Sequence, residues 1–375
     1  VSSSSGTSHG RPPLHAVQVL GGGSAGSGAH VRSLAAGLVA RGLRVTVCAA
    51  GWTEERHGFT GAGASFAPLP AGTDALLVAG IRAATADADV VHAHGLRWGL
   101  LAALALHGRP TPLVVTWHRR VRAAGARAHV VRLMERRAVR TAAVVLGATP
   151  DLVDRARSRG ARDARLTPVG FPGPRAAAAV AAETEGDVPR DKVLAELGVL
   201  GRPLLLAVGR LEPDQGYGPL LDAARSWRRL DPEPLLVVAG EGPERPSLQR
   251  RIEEEGLPVR LVGRREDVPQ LVAAADLVIL PSRWEGRALL AQEAFRVGVP
   301  LVATAVGGVP DLVGDAAELV PYGDASALAC AVSRVLVDSR RRAELVAAGR
   351  RLGAGWPSED DAVAHVLSVY DELWG

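Results

Sequence analysis

From residue 15 onward, short apolar runs rich in β-branched residues alternate with longer Ala/Leu/Arg stretches of helical spacing. In the first half the runs are HAVQVL, RVTVCA, DVVHAH, PLVVTWH and AAVVLGA. Unbroken apolar runs bounded by turn residues predict buried strands, and their alternation with helices predicts a parallel sheet. After Pro168 the pattern loosens into GFPGPRAAAAVAAETEGDVPRDK, then resumes with PLLLAVGR, PLLVVAG, VRLVG, LVILPS, PLVATAVGG and AELVPYG. Two doubly wound α/β domains in tandem account for the interruption. The expected boundaries are a disordered tail over 1–14, a first domain over 15–172, a linker region over 173–197 and a second domain over 198–357. The last stretch, DDAVAHVLSVYDELW, spaces Val363, Val366, Leu367, Tyr370, Leu373 and Trp374 for one face of a helix. This helix, over 358–375, is expected to cross back and complete the first domain.

A length of 375 residues suits two domains of about 150 residues each. No apolar stretch approaches the ~18 residues of a membrane span, and the start, VSSSSGTSHGRPP, lacks the apolar centre of a secretory signal. A soluble, cytoplasmic protein is the expectation. Cys48 and Cys330 stand far apart in apolar surroundings, as buried thiols rather than a disulfide framework would. The net charge of +4 is carried almost wholly by arginine, Lys192 being the only lysine. The densest basic stretch runs from His118, Arg119, Arg120 and Arg122 through Arg127, Arg132, Arg136, Arg137 and Arg140, with Glu135 as its only acid. It reads either as a face for anionic lipid at the inner side of a membrane or an acidic acceptor, or as a solvated helix face. Aromatic residues make up 4% of the chain and do not interleave with the arginines, which argues against nucleic-acid binding by stacking.

Open parallel sheets bind ligands beyond the carboxyl ends of their strands, so the loops after the apolar runs are where chemistry is sought. The first run leads into GGGSAGSGAHVRSLAAGL, where glycines admit close backbone approach and helix-start amides favour phosphate. The spacing is neither G-x-G-x-x-G nor a P-loop, and a plain strand-to-helix turn accounts for it equally. His92 and His94 end a later run with no carboxylate or cysteine at ligand spacing, so packing or hydrogen bonding is read there in preference to a metal. His118, just past PLVVTW, is a candidate to polarise a substrate hydroxyl or carbonyl, with a structural histidine as the alternative. Arg210 leaves LLLAVG into Leu-Glu-Pro-Asp-Gln215-Gly216, either as a phosphate-binding arginine beside turn amides or as a surface ion pair.

PSRWEGRALLAQEAF places Glu285 on the exit loop of a buried strand and Glu293 inside the following helix, predicted over 288–296. Glu293 then lies about 8 Å along the axis from the helix start, the reach of a diphosphate and part of a ribose. An anion at the amides of Arg287, Ala288 and Leu289 would sit between the two carboxylates. That layout suits a sugar nucleotide better than a glycosidase pair, whose carboxylates flank one bond.

Together these motifs resemble the family-4 retaining glycosyltransferases of the GT-B fold, including actinobacterial phosphatidylinositol mannosyltransferases and D-inositol 3-phosphate glycosyltransferases. The most specific element is the Glu-x7-Glu pair and its continuation FRVGVPLVATAVGGVPDLV, supported by VGRLEPDQG, VVAGEGP, HAHG and VVTWH. The resemblance implies two Rossmann-like domains facing across a cleft, with the terminal helix returning to the first. It implies transfer of a hexosyl unit from a UDP- or GDP-sugar to a small-molecule, glycan or lipid-linked acceptor, with retention and without a metal or other cofactor. It assigns Glu285 to the donor sugar, Glu293 to the ribose, Arg210 to the diphosphate, Gly26 to the loop near the phosphates and His118 to the transferred sugar. Gly286, Arg287, Ala288 and Leu289 form the rest of the donor contact.

The chain departs from the family pattern in three places. Gln215 replaces a lysine, Arg287-Ala288 replaces Phe-Gly, and Ala25 precedes Gly26 where Gly-Gly is frequent. A neutral amide at 215 weakens leaving-group stabilisation, while a Cβ at 288 carries a cost of about 1–2 kcal/mol only if that backbone is left-handed. Arg287 is a candidate to restore the charge absent at Gln215. A sugar-nucleotide binder without transfer activity, a sugar-nucleotide epimerase and a phosphorylase are the competing readings.

Overall fold

The two sets of apolar runs form two separate all-parallel sheets. The computed structural model describes residues 12–21, 25–121, 125–168, 190–199, 201–285 and 288–375. The chain divides into two compact units, residues 1–171 with 357–375, and residues 172–356.

The first sheet contains β1 (His15–Val19), β2 (Arg44–Ala50), β3 (Ser65–Leu69), β4 (Val90–His94), β5 (Leu113–Trp117), β6 (Val144–Gly147) and β7 (Ala164–Leu166). Their spatial order is β3-β2-β1-β4-β5-β6-β7. The second contains β8 (Leu204–Val208), β9 (Leu235–Ala239), β10 (Val259–Gly263), β11 (Leu277–Leu280), β12 (Leu301–Thr304) and β13 (Glu318–Val320), in the order β10-β9-β8-β11-β12-β13. In each sheet the direction of strand addition reverses once, between β1 and β4 and between β8 and β11. Such a reversal opens a crevice at the strand ends, where doubly wound sheets take ligands.

Central strands β1, β4, β5, β9, β11 and β12 are buried at every residue, as sheets covered on both faces require. The unexpected strands, β3 and β7, are the two edges of the first sheet. SFAPL carries Pro68, which an edge tolerates because one side of the backbone has no ladder to complete.

The terminal helix, Glu359–Trp374, packs on the first unit. Ser358 caps it: its hydroxyl accepts from the Asp361 N–H (3.1 Å), and the Asp361 carboxylate accepts from the Ser358 N–H (2.8 Å). The Ser358 hydroxyl, which donates to the Asp361 carboxylate at 2.7 Å, and then the Ser358 N–H hold that carboxyl below its usual pKa. Val363, Val366, Val369 and Tyr370 are buried in a cluster with Leu34, Leu38 and Val47. Gly37, in the helix Ala25–Ala40, allows this approach, since a Cβ there would lie 2.5 Å from a Val363 methyl.

Three expectations need correction or delimiting. Within the region assigned to a linker, Arg190–Glu196 is helical, and Val193, Leu197 and Val199 are buried in a core cluster of the second unit. The turn-rich residues before it masked an amphipathic segment. Cys330 is exposed, whereas Cys48 is buried. Cys330 lies on the outer face of the helix Ala325–Val337, between the buried Ala329 and Ala331. Burial pushes the Cys48 thiol up to about 12. Of the tail expected over 1–14, residues 1–11 fall outside the described residues, as do 173–189 of the linker, whereas Leu14 is buried in a core cluster of the first unit and belongs to the fold.

The basic stretch contains the helix Gly125–Thr141. Arg127, Arg132, Arg136, Arg137 and Arg140 are exposed, whereas Glu135 is 2% exposed. Its carboxylate accepts from the Nε of Arg155 and of Arg159, each at 2.8 Å. Glu135 thereby ties this helix to the one over Pro150–Ser158. Among the described residues, no helix is long and apolar enough to cross a membrane.

Candidate functional site

In the second unit the loops after β8, β9, β11 and β12 interlock at the strand carboxyl ends. Gly209 N–H donates to the Ala239 carbonyl (3.0 Å) and Leu211 N–H to the Glu241 carbonyl (3.0 Å). The turn after β9 has glycines because there is no room for side chains. A Cβ at Gly240 would lie 1.8 Å from the Gly209 carbonyl oxygen, and one at Gly242 would lie 2.3 Å from that of Leu211. On the other side, Arg283 N–H donates to the Asp214 carbonyl (2.9 Å). Gly216, at φ +76°, sits so close to Pro281 that a Cβ would be 1.9 Å from its carbonyl oxygen. We expect Gly216→Ala to cost about 2 kcal/mol or more of stability, measured by denaturant unfolding.

These contacts fix the backbone of Glu285. Gly308 N–H donates to its carbonyl (3.1 Å), and a Cβ at Gly307, φ +56°, would lie 2.2 Å from that same oxygen. Beneath it, the buried Ser282 carbonyl accepts from Thr304 Oγ1 (2.5 Å), and Ser282 Oγ lies 3.4 Å from Glu285 Oε2. Burial first, and the Glu285 charge second, push the Tyr217 hydroxyl well above its usual pKa. The loop that carries Glu285 thus leaves the sheet at the switch point, and its backbone is bonded to the loop after β8 that carries Arg210 and Gln215.

The sequence-predicted residues of this unit that the structure describes take the following places. Arg210 is 65% exposed and pairs with Glu212 at 2.5 Å. Gln215 ends the 3-10 turn Pro213–Gln215, with its Oε1 where a Cβ on Gly209 would meet it at 3.0 Å. Glu293 lies within the helix Leu289–Val297, paired with Arg296 at 2.5 Å. Leu289 opens that helix and is 44% exposed. Ala288 is 2% exposed with φ −67°, so its Cβ imposes no left-handed strain. Ala288→Gly is accordingly expected to change nucleotide-sugar affinity by less than about threefold, a few tenths of a kcal/mol; calorimetric titration would expose a larger gain. Gly286 and Arg287, and with them the charge-restoration idea, lie outside the described residues.

In the first unit, Gly26 belongs to the first turn of the helix Ala25–Ala40 rather than to a loop, because the helix begins at Ala25. At the ends of β4 and β5 the structure gathers more histidines than the sequence reading considered. His92 Nδ1 is 2.7 Å from the Tyr370 hydroxyl, and its Nε2 is 2.6 Å from Thr116 Oγ1. His94 Nε2 is 2.9 Å from Gln18 Oε1, and its Nδ1 is 3.2 Å from His118 Nε2. His30, which the sequence reading passed over, brings a ring nitrogen within 4.8 Å of those of His94 and His118. The His94 and His118 rings are 9° from parallel with centroids 5.5 Å apart. With an N···N distance of 3.2 Å the two nitrogens therefore point at each other, as in a hydrogen bond, rather than converging on a third point as metal ligands do. Gln18 and Tyr370 also escaped the sequence reading, because a contact 352 residues apart leaves no local signal.

Residues 190–352 match the family described as glycosyl transferases group 1, and residues 25–172 match the glycosyl transferase 4-like domain. The chain belongs to the GT-B glycosyltransferases. As one of these, it is 32% identical to the alpha-D-kanosaminyltransferase of Streptomyces kanamyceticus over 256 residues, 65% of this chain and 64% of that protein. It is 37% identical to the D-inositol 3-phosphate glycosyltransferase of Salinispora arenicola over 205 residues, 50% of this chain and 46% of that one. The chain thus spans less than two thirds of the length of these relatives. In fold, this GT-B glycosyltransferase is similar to HepE of Anabaena in complex with UDP and glucose. The TM-score is 0.81 at 20% identity, covering 96% of this chain and 100% of that one.

Proposed function

We propose that the protein moves a hexosyl unit from a UDP- or GDP-sugar to an acceptor hydroxyl with retention of configuration. What supports this reading is the clamped loop at the switch point of the second sheet, which carries Glu285 and is bonded through its backbone to the loop of Arg210 and Gln215. Glu285 would bind the hydroxyls of the donor sugar, and Glu293 the ribose. Arg210, Gln215 and the amides from Gly286 to Leu289 would take the diphosphate, with Gly26 near the phosphates. His118 would contact the transferred sugar. Charge developing on the departing diphosphate would then be met by Arg210, the Gln215 amide and the helix start, with no metal required for the leaving group. Freeing Arg210 for this task costs little, since an exposed pair like that with Glu212 contributes ~0–1 kcal/mol. A neutral Gln215 makes this leaving-group site weaker than one with lysine.

The acceptor would be a small molecule, a glycan or a lipid-linked sugar. Lipid-linked acceptors are favoured by the helix Gly125–Thr141, which exposes Val130 (58%) and Leu133 (69%) among its arginines. Such a surface suits peripheral contact with an anionic membrane. To test the reaction, the chain is incubated with UDP- and GDP-hexoses and acceptors of the three classes, and the anomeric proton coupling of any product is read by NMR. The proposal expects a glycoside with the donor's configuration. An inverted product, an epimerised donor or bound but unchanged donor would refute it.

A further inference from the structure

The sheet of the first unit carries a hydrogen-bonded chain of which the transfer chemistry above uses only the last member, His118. It runs from Thr116 through His92, Tyr370, Gln18 and His94 to His118, joining β1, β4 and β5 to the terminal helix. Gln18 and Tyr370 are 0% exposed, His92 is 1% exposed and His94 is 5% exposed, so no solvent competes for these bonds.

The donor order along this chain is constrained. Gln18 Nε2 donates to the Tyr370 oxygen at 2.8 Å. The Tyr370 hydroxyl then has its proton for His92 Nδ1, which must be unprotonated to accept it. His92 carries its proton on Nε2 and donates to Thr116 Oγ1. On the other arm, the Gln18 amide turns its Oε1 to His94, so the proton of His94 sits on Nε2 and its Nδ1 is an acceptor. His118 then supplies the proton between the two rings from its Nε2, and in its neutral form Nδ1 is the acceptor atom. A neutral His92 agrees with burial, which drives its pKa well below the ordinary histidine value, aided by His94 and His118.

Among the five bonds named, one other arrangement satisfies each contact, and it reverses them together: the Gln18 amide flips, and each histidine carries its proton on Nδ1 instead. The chain therefore behaves as a unit with two concerted forms, and the amide orientation selects between them.

We propose that Tyr370, acting through Gln18 and His94, is a positioning residue that fixes the tautomer of His118. The terminal helix in this way sets whether the His118 Nδ1 offers a lone pair or a proton. In the form described here it offers a lone pair, suited to accept a hydroxyl proton of the transferred sugar. The sugar contact rests on the glycosyltransferase reading; the tautomer coupling does not.

The test reads the coupling directly. Histidine-15N-labelled full-length chain is examined without substrate by long-range proton–nitrogen NMR, which distinguishes the two tautomers of each ring. The expected result is Nε2–H at His92, His94 and His118. In Tyr370→Phe, His118 is expected to become a mixture of tautomers. A Gln18→Glu variant, which cannot present an amide N–H to Tyr370, provides a second perturbation if the first does not fold. Its His118 is likewise expected to depart from the wild-type form. Unlike tautomers among the three rings of the wild type would overturn the proposal, as would a His118 tautomer untouched in a folded variant. For transfer, kcat is expected to fall about tenfold with KM unchanged. Unchanged kcat beside an altered tautomer would count against the role of His118 in transfer and leave the coupling standing.

Discussion

Arg210→Ala is expected to lower kcat for hexosyl transfer by about 100- to 1,000-fold, the usual consequence of removing a group aimed at charge that develops in the transition state. Arg210 follows β8 on the side where the second sheet reverses, and its loop is stitched to those after β9 and β11. Its 65% exposed guanidinium makes the substitution a probe of function rather than folding. Arg210→Lys should recover part of the rate, because a point charge persists while the bidentate fork is lost. Steady-state kinetics with a saturating donor would show both. Turnover equal to the parent in Arg210→Ala would remove this arginine from the mechanism.

Glu135→Ala should have the largest effect on stability, a loss of about 3–5 kcal/mol, because breaking a buried ion pair strands the remaining charge. Two guanidinium groups, Arg155 and Arg159, would lose their shared carboxylate at once, with side chains only 16% and 18% exposed. For a unit of this size that corresponds to a melting temperature lower by about 10 °C. Replacing all three residues with apolar ones of similar volume is expected to restore most of the loss. A shift under about 2 °C in Glu135→Ala would mean that the helix Gly125–Thr141 is not anchored through this carboxylate. The same contact explains why the only acid of the basic stretch is not part of its exposed face.

Most of the architecture was legible because buried parallel strands write themselves as unbroken apolar runs. Among the described residues, eleven of the thirteen strands correspond to such runs, and the two that do not are edges, where half the residues face away from the core. The place of Glu285 on a loop and Glu293 in a helix followed from the same logic: LVIL ends at Leu280, and ALLAQEAFR has strong helix formers. Other features depend on close approach in three dimensions. Nothing in VATAVGG announces that Gly307 abuts the Glu285 carbonyl, and nothing near Gln18 announces Tyr370. The helix over Arg190–Glu196 was hidden by its Pro/Gly-rich neighbours, and the exposure of Cys330 by the apolar composition around it. Ala288 shows the converse. The sequence posed a question about backbone strain that only its φ of −67° resolves.

In the proposed reaction the loops after β8, β11 and β12 hold a nucleotide sugar through Arg210 and Glu285. This binding is tested most directly by thermal unfolding of the chain with a panel of UDP- and GDP-hexoses, beside the Arg210→Ala and Glu285→Ala variants. The account predicts that one donor, at a concentration about 100 times its Kd, stabilises the parent by about 2.7 kcal/mol, a rise of roughly 5–10 °C. It further predicts that both variants lose most of that rise. A panel that leaves the melting temperature of the parent unmoved, or a donor that stabilises parent and both variants equally, would contradict it.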